Sequence, residues 1–373
     1  MKIISWISSD NKFAQKPLLG KTSTEYVLEA LNEFSQVIEG NALPQSFDIA
    51  LIVRADAPAL MSVTLEGLCH AVLEHDGQPC VLLARDMENA LAIALSEKTA
   101  KALMQDESQL MSVFEIVGRL NDQMIGPRCW QDEMTDTCFA VTNAASYAEA
   151  FRFINQNNIA LHQENGVIIL EPERTIIEDD VTIGEGTMIY AGNTLEGRTV
   201  IGQDCVLYPN NRMNNAKVGD GVTIESSVLL DCSVGNGTTV GPYAYIRPNS
   251  HVGEDCRIGD FVEIKNSEIG NQTKISHLTY VGDSDLGERI NLGCGVVFVN
   301  YDGKTKNRSK IEDDAFIGCN CNLIAPVHVG KHAYLAAGST VVEDVPEDSM
   351  LVARSRAVIK KDWVKRRRES GKL

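Results

Sequence analysis

Aliphatic side chains return every sixth residue over three stretches of this chain, and that period excludes most folds. The positions are Ile177, Ile183, Ile189, Leu195, Ile201 and Leu207, then Val234, Val240, Ile246, Val252, Ile258 and Ile264. A third run is Ile311, Ile317, Leu323, Val329, Leu335 and Val341. An α-helix repeats about every 3.6 residues and a strand alternates with period two, so neither produces a strict six. A hexapeptide parallel β-helix does, because each hexad supplies one short strand and one bend, and stacked coils bury the aliphatic row. Four places after most of these aliphatic residues stands a small or β-branched one: Val181, Thr187, Thr199 and Cys205; Thr238, Ala244, Ser250, Cys256 and Val262; Ala315, Cys321, Val327, Ala333 and Ser339. These fit inward positions at the bends, where bulk has no room. Cys205, Cys256 and Cys321 are thereby read as small core residues.

The repeat slips to five residues from Ile264 to Ile269 and from Val281 to Leu286. It is interrupted by "VNYDGKTKNRSK" between Phe298 and Ile311, an insertion that must project as a loop. A left-handed β-helix of this kind turns once per three hexads, so residues eighteen apart stack, seventeen where the register slips, with strands ~4.8 Å apart. Spacing then becomes geometry. Arg247 and Lys265 each follow an aliphatic residue by one and should lie one above the other. Unpaired, they repel by roughly 3 to 4 kcal/mol at an effective dielectric near 20, a penalty that a bound anion removes; splayed, solvated side chains are the alternative. His277, two places after Ile275, heads a column that continues through Cys294, Cys319 and Ala337, all small. Such a column leaves a groove in which an extended ligand can run along the axis. One coil below His277 stands Asp260, placed to orient an imidazole as a general base requires or simply solvated at a bend. Tyr280 stacks over Glu263.

Residues 1–165 have another character. "DIALIVRADAP" and "PCVLLARD" read as buried strands around a helix in "MSVTLEGLCHAVLEHDG". Further helices are expected in "STEYVLEALNEF", "SQLMSVFEIVGRL" and "SYAEAFRFINQNN". This alternation predicts an α/β domain, a parallel sheet covered by helices. The β-helix is expected over 166–345 and a basic tail over 346–373.

The formal charge of -17 disfavours nucleic acid and anionic membrane as partners. From Arg354 the balance reverses, with nine Lys and Arg against Asp362 and Glu369. That tail either pairs with the acidic body or meets a polyanionic ligand. The opening "MKIISWISSDNK" has too few apolar residues for a secretory leader or a membrane span, so a cytoplasmic location is expected. Ten cysteines without a CxxC pair predict neither a disulfide framework nor a structural metal.

The region from about Gly166 onward resembles the acetyltransferase domain of the bifunctional bacterial N-acetylglucosamine-1-phosphate uridyltransferase / glucosamine-1-phosphate acetyltransferase family. The resemblance is carried by "RP", "FVEIK", "SHLTYVGD", "NLGCG" and "NYDG" in that order. It implies that His277 is the general base toward a sugar amine. It implies that Arg247, Lys265, Tyr280, Asn291, Asn300, Tyr301 and Lys306 hold an amino-sugar phosphate. Acetyl-CoA contacts fall on Cys294, Cys319, Ala337 and Arg354, and the family assembles as a homotrimer with sites at subunit contacts. No metal is implied for acetyl transfer, and the two cysteines are lining residues, not nucleophiles.

The N-terminal part departs from the family. The glycine-rich nucleotide loop, of the form LxxGxGTxM, is replaced by "ISWISSDNKFAQKPLLGK", and the domain is shorter by some tens of residues. Asp56, in "RADAPAL", aligns with a magnesium ligand, while Thr142, in "AVTNAAS", takes the second ligand position. Uridyl transfer is therefore expected to be absent. The reading is an acetyl-CoA-dependent N-acetyltransferase on glucosamine 1-phosphate, feeding cell-wall precursor synthesis. The alternatives are another amino sugar or sugar nucleotide as acceptor, since "KTKNRSKIEDD" departs from the family after Lys306; nucleotidyl transfer by the N-terminal domain; or a non-catalytic trimeric scaffold.

Overall fold

Each hexad of the repeat is one short strand in the computed structural model, which describes residues 1–8, 11–38, 42–105, 110–131 and 135–372. The coils form a left-handed parallel β-helix with three faces of ten, nine and eleven parallel strands among the described residues. The aliphatic residues of the three runs are buried, except Ile183, which is half-buried. Each contributes about 1.5–3 kcal/mol by leaving water. All fourteen small residues of the second register are buried too.

Strand pairing follows the expected arithmetic. Ile246 stands opposite Ile264, eighteen residues on, and Ile264 opposite Val281, seventeen on. Across the inserted loop, Leu292 stands opposite Ile317. Between Leu207 and Val234, where no six-residue period is visible, Met213, Val218, Ile224 and Leu229 continue the buried row with some steps of five. Asn215 and Asp231 take left-handed conformations there, which short polar side chains tolerate.

Three corners break that preference. Tyr243, Phe261 and Leu278 have φ of 60°, 53° and 48° although their side chains are bulky. All three are exposed, and the rings of Tyr243 and Phe261 stack with centroids 5.4 Å apart. They follow one another up one edge, and Phe261 and Leu278 come directly after Asp260 and His277 in sequence.

Chain contacts separate Met1–Leu161 with Ile177–Asp180 from His162–Ile176 with the residues from Val181 onward. The first unit holds a six-stranded sheet in the order Gln36–Val37, Ile3–Ser8, Ile49–Arg54, Ala90–Ser96, Cys80–Leu83, Arg128–Trp130. In the strand Ile49–Arg54, Ile49, Leu51 and Val53 face a cluster with Leu65 and Leu68. Ala50 and Ile52 face another with Leu103, Ile116 and Leu120. Helices cover both faces, as expected. The sheet is mixed, however: Ala90–Ser96 runs antiparallel to both neighbours. Its sequence, "ALAIALS", is rich in good helix formers and gives no strand signal, so burial on both faces decides its state. The helix expected in "SQLMSVFEIVGRL" starts at Val113, where Ser112 and Glu115 form a capping box. Its first positions, Ser108 and Gln109, and Ser9 and Asp10 of the stretch aligned with the nucleotide loop, lie outside the described residues. No helix among the described residues is long and apolar enough to cross a membrane.

Candidate active site

His277 ends the strand Lys274–His277 and stands opposite Asp260 in the register of the coil below. Its Nδ1 lies 2.5 Å from Asp260 Oδ1. With Nδ1 donating to the carboxylate, Nε2 carries the free lone pair, the tautomer a general base needs. The hydrogen bond from His277 holds the Asp260 carboxyl below the usual carboxylate range. The imidazole is about half exposed, so a reactant can reach it.

The column above His277 has the expected order. The amide of Gly295 donates to His277 O, that of Asn320 to Cys294 O and that of Gly338 to Cys319 O. These bonds seat Cys294, Cys319 and Ala337 one above another on successive coils. Cys294 is half-buried, while Cys319 and Ala337 are exposed. At the top, Arg354 Nη1 donates to Ala337 O at 3.0 Å, which brings its guanidinium to the end of the column.

Around the corner from His277, on the next face, a second group gathers. Arg247 and Lys265 do stack on adjacent coils, the Arg247 amide donating to Ile264 O. The expected repulsion between them is not what the structure holds. Arg247 Nη1 pairs with Glu263 Oε1 at 2.7 Å, and Lys265 Nζ lies 3.1 Å from Asp283 Oδ2. Each cation has found a carboxylate one coil away, which removes the Coulomb penalty without a bound anion. Glu263 stands opposite Tyr280 in register, but its carboxylate serves Arg247. The Tyr280 hydroxyl instead accepts from Asn300 Nδ2 at 3.3 Å.

Asp283 ties this group together. It is buried, and it accepts from Lys265, from Asn266 Nδ2 at 2.6 Å and from Asn300 Nδ2. Burial pushes its carboxyl up, but these three donors outweigh it and leave the group below the usual range. Spacing did not single Asp283 out, because it sits at a corner with φ of 50°, outside the columns. The available signal was the glycine before it. Gly282 stands opposite Lys265, and a Cβ there would lie 2.4 Å from the Tyr280 hydroxyl and 2.7 Å from Asn300 Nδ2. Only glycine lets the tyrosine fold over that position. Gly282→Ala is expected to displace the Tyr280 ring and raise the KM for a sugar phosphate about tenfold, read from initial rates; an unchanged KM would remove Tyr280 from the site.

The inserted loop brings a third cation. Tyr301 and Lys306 bridge its two strands, and both are exposed. Asp302 shapes the turn by accepting from the Lys304 and Thr305 amides and from the Thr305 hydroxyl. The Lys306 side chain lies against that of Lys265, and this contact, with the like charge, pushes Lys306 below the usual lysine range. Burial pulls Lys265 down, but the contact with Lys306 Nζ and the Asp283 carboxylate more than compensate and leave Lys265 above the usual lysine range. The side chains of Lys265, Lys306 and Arg247 thus converge, as an oxyanion site requires. Asn291 lies apart from this group, on the face of His277 between Lys274 and Phe316.

In the first unit, Asp56 is buried and fully engaged. Arg54 Nε lies 2.9 Å from Oδ1 and Arg54 Nη2 lies 2.8 Å from Oδ2, while Asn11 Nδ2 donates to Oδ2 at 3.0 Å. The Val141 amide donates to Asp56 O, so Thr142 does fall beside Asp56, without a carboxylate to offer. A bidentate arginine on one ligand and a hydroxyl at the other do not fit a magnesium site, because the hard cation needs the oxygens that Arg54 holds.

The fold is that of the hexapeptide-repeat class, and the bacterial transferase hexapeptide family, of six repeats, matches residues 231–266 and 308–342. The chain is 36% identical over 370 residues to the bifunctional protein GlmU of Brevibacillus brevis, a match covering 96% of this chain and 78% of that protein. It belongs to the GlmU family. Identity is 45% over 262 residues to the GlmU of Clostridium kluyveri, 70% of this chain and 56% of that protein. It is 55% over 203 residues to that of Clostridium acetobutylicum, 54% and 44%. The chain thus spans about half the length of these curated relatives. Among solved structures, a UDP-N-acetylglucosamine acyltransferase from Francisella novicida aligns at 21% identity and a TM-score of 0.34, over 54% of this chain and 73% of that one.

Proposed function

We propose that the chain is an acetyl-CoA-dependent N-acetyltransferase that converts glucosamine 1-phosphate to N-acetylglucosamine 1-phosphate. The observation that carries this reading is the His277–Asp260 pair at the foot of the small-residue column, one corner away from the Arg247, Lys265 and Lys306 cluster. Acetyl-CoA runs along Cys294, Cys319 and Ala337, with Arg354 toward its phosphates. The phosphate of the sugar meets Lys265, Lys306 and Arg247; Tyr280, Asn300, Tyr301 and Asn291 are assigned to the sugar.

The chemistry is a direct transfer. The sugar nitrogen attacks the thioester carbon while His277 Nε2 takes its proton, and Asp260 stabilises the imidazolium. The C–N bond forms, the tetrahedral centre collapses, the C–S bond breaks, and the CoA thiolate leaves and is protonated. No acyl-enzyme is required. The test is mass-spectrometric detection of N-acetylglucosamine 1-phosphate from purified protein, acetyl-CoA and glucosamine 1-phosphate. Absence of product with intact acetyl-CoA binding moves the acceptor to another amino sugar; absence of both supports the scaffold.

The first unit is proposed to be without uridyltransferase activity. Supporting this are the missing glycine loop and the Arg54–Asp56 pair. Incubation with UTP, magnesium and N-acetylglucosamine 1-phosphate is expected to yield no UDP-sugar above the no-enzyme rate, measured by chromatography.

We also infer a homotrimer. Its support is the ladder of Tyr243, Phe261 and Leu278, exposed and held at positive φ beside His277, a cost that a subunit contact explains. Phe261→Asn relieves the strained backbone while removing the ring. It is expected to leave thermal stability of the chain unchanged within about 1 kcal/mol and to shift the mass by light scattering from trimer toward monomer.

A further inference from the structure

The ten cysteines are free thiols, and most are buried. Within the β-helix, Cys205, Cys256 and Cys321 point inward, their thiols donating to carbonyls of neighbouring residues. Cys294 and Cys319 differ in both respects. They occupy successive coils of one column, with Leu292 opposite Ile317 and the Asn320 amide donating to Cys294 O at 2.8 Å. They sit in the turns that follow the strands Asn291–Leu292 and Phe316–Ile317, and stacked coils lie ~4.8 Å apart, inside the roughly 4.4–6.8 Å that a disulfide spans between Cα atoms. Cys294 is half-buried and Cys319 exposed, so Cys319 is the more open of the two to solvent.

We propose that Cys294 and Cys319 are a modification site, a dithiol that a low-molecular-weight disulfide oxidises to a bridge between adjacent coils. Cys319 reacts first, being exposed: its thiolate attacks one sulfur of the small disulfide, a new S–S bond forms, the old one breaks, and one small thiol leaves with a proton. Cys294 then attacks Cys319 Sγ. The inter-coil bond forms and the second small thiol departs. Two cysteine thiols are oxidised by two electrons and the small disulfide is reduced to two thiols. A coil spacing of ~4.8 Å exceeds the ~3.8 Å between Cβ atoms of a relaxed disulfide, so the bridge is expected to be strained and readily reduced. Cys321 cannot substitute for either partner, because its thiol is buried on the inner side of the coil and bonded to Ala336 O. Oxidation clamps the column that accommodates acetyl-CoA. That consequence rests on the acetyltransferase reading above; the bridge itself does not.

The test uses the full chain, reduced and then exposed to oxidised glutathione. Tryptic digestion without reductant is expected to link peptide 290–304, which holds Cys294, to peptide 311–331 through Cys319. Cys294→Ser is expected to stop at a glutathione adduct on Cys319, and Cys319→Ser to give no link. Calorimetry of acetyl-CoA binding is expected to show Kd rising roughly tenfold or more on oxidation and returning with dithiothreitol. No linked peptide, or a link through Cys321, overturns the proposal. A linked protein with unchanged Kd overturns the clamp. If the reduced protein binds no acetyl-CoA while the bridge still forms, the dithiol stands and the acetyl-CoA reading fails.

Discussion

Replacing His277 with alanine is expected to lower kcat for the proposed acetyl transfer about 10²- to 10⁴-fold, the range over which a positioned general base accelerates proton transfer. The KM for acetyl-CoA changes little, because the groove is made by Cys294, Cys319 and Ala337. Stability changes little as well. The His277–Asp260 pair is open to solvent, with side chains 52% and 35% accessible, and water screens such a pair. Steady-state rates beside a thermal melt separate the outcomes. A kcat within a few-fold of the parent would remove His277 from the chemistry, and a collapsed melting temperature would make it structural.

The second large effect is at Lys265. Lys265→Ala is expected to remove the charge-assisted bond proposed to the sugar phosphate, about 1.5–3 kcal/mol, so the KM for glucosamine 1-phosphate should rise by roughly one to two orders of magnitude. It also strands Asp283, whose side chain is only 8% accessible. A buried carboxylate losing its cation destabilises the fold, here by about 1–3 kcal/mol because Asn266 and Asn300 still donate to it. Adding Asp283→Asn removes the stranded charge. The double variant should regain most of the stability and none of the substrate affinity, a non-additivity visible as a coupling term in urea titrations. Additive stabilities would mean that the two side chains do not interact in solution. The pH dependence has a definite sign. Asp283 titrates below its ordinary value when folded, so its stabilisation is complete above the unfolded carboxylate range and is lost as pH falls through the folded value.

Much of this site was legible before any coordinates. The six-residue period put Asp260 under His277, and Cys294, Cys319 and Ala337 above it, because a stacked coil converts sequence separation directly into distance. The same arithmetic placed Arg247 over Lys265 but not their side chains. Which carboxylate each cation chose depends on rotamers and on residues one step out of column, and Asp283 lies at such a step. The strand Ala90–Ser96 was illegible for another reason: its alanines and leucines suit a helix as well as a strand, and only burial between two neighbours selects the latter.

By itself, then, the sequence determined the β-helix, the inward register and the histidine column, since each depends on a period that one covalent chain enforces. The tertiary structure alone decided how the charges pair. Asp56 shows this most plainly: in sequence it stands where a metal ligand is expected, and in the fold it is held by Arg54 and Asn11. Residue type places a charge at a position, but its partner is set by which side chains reach it first in three dimensions.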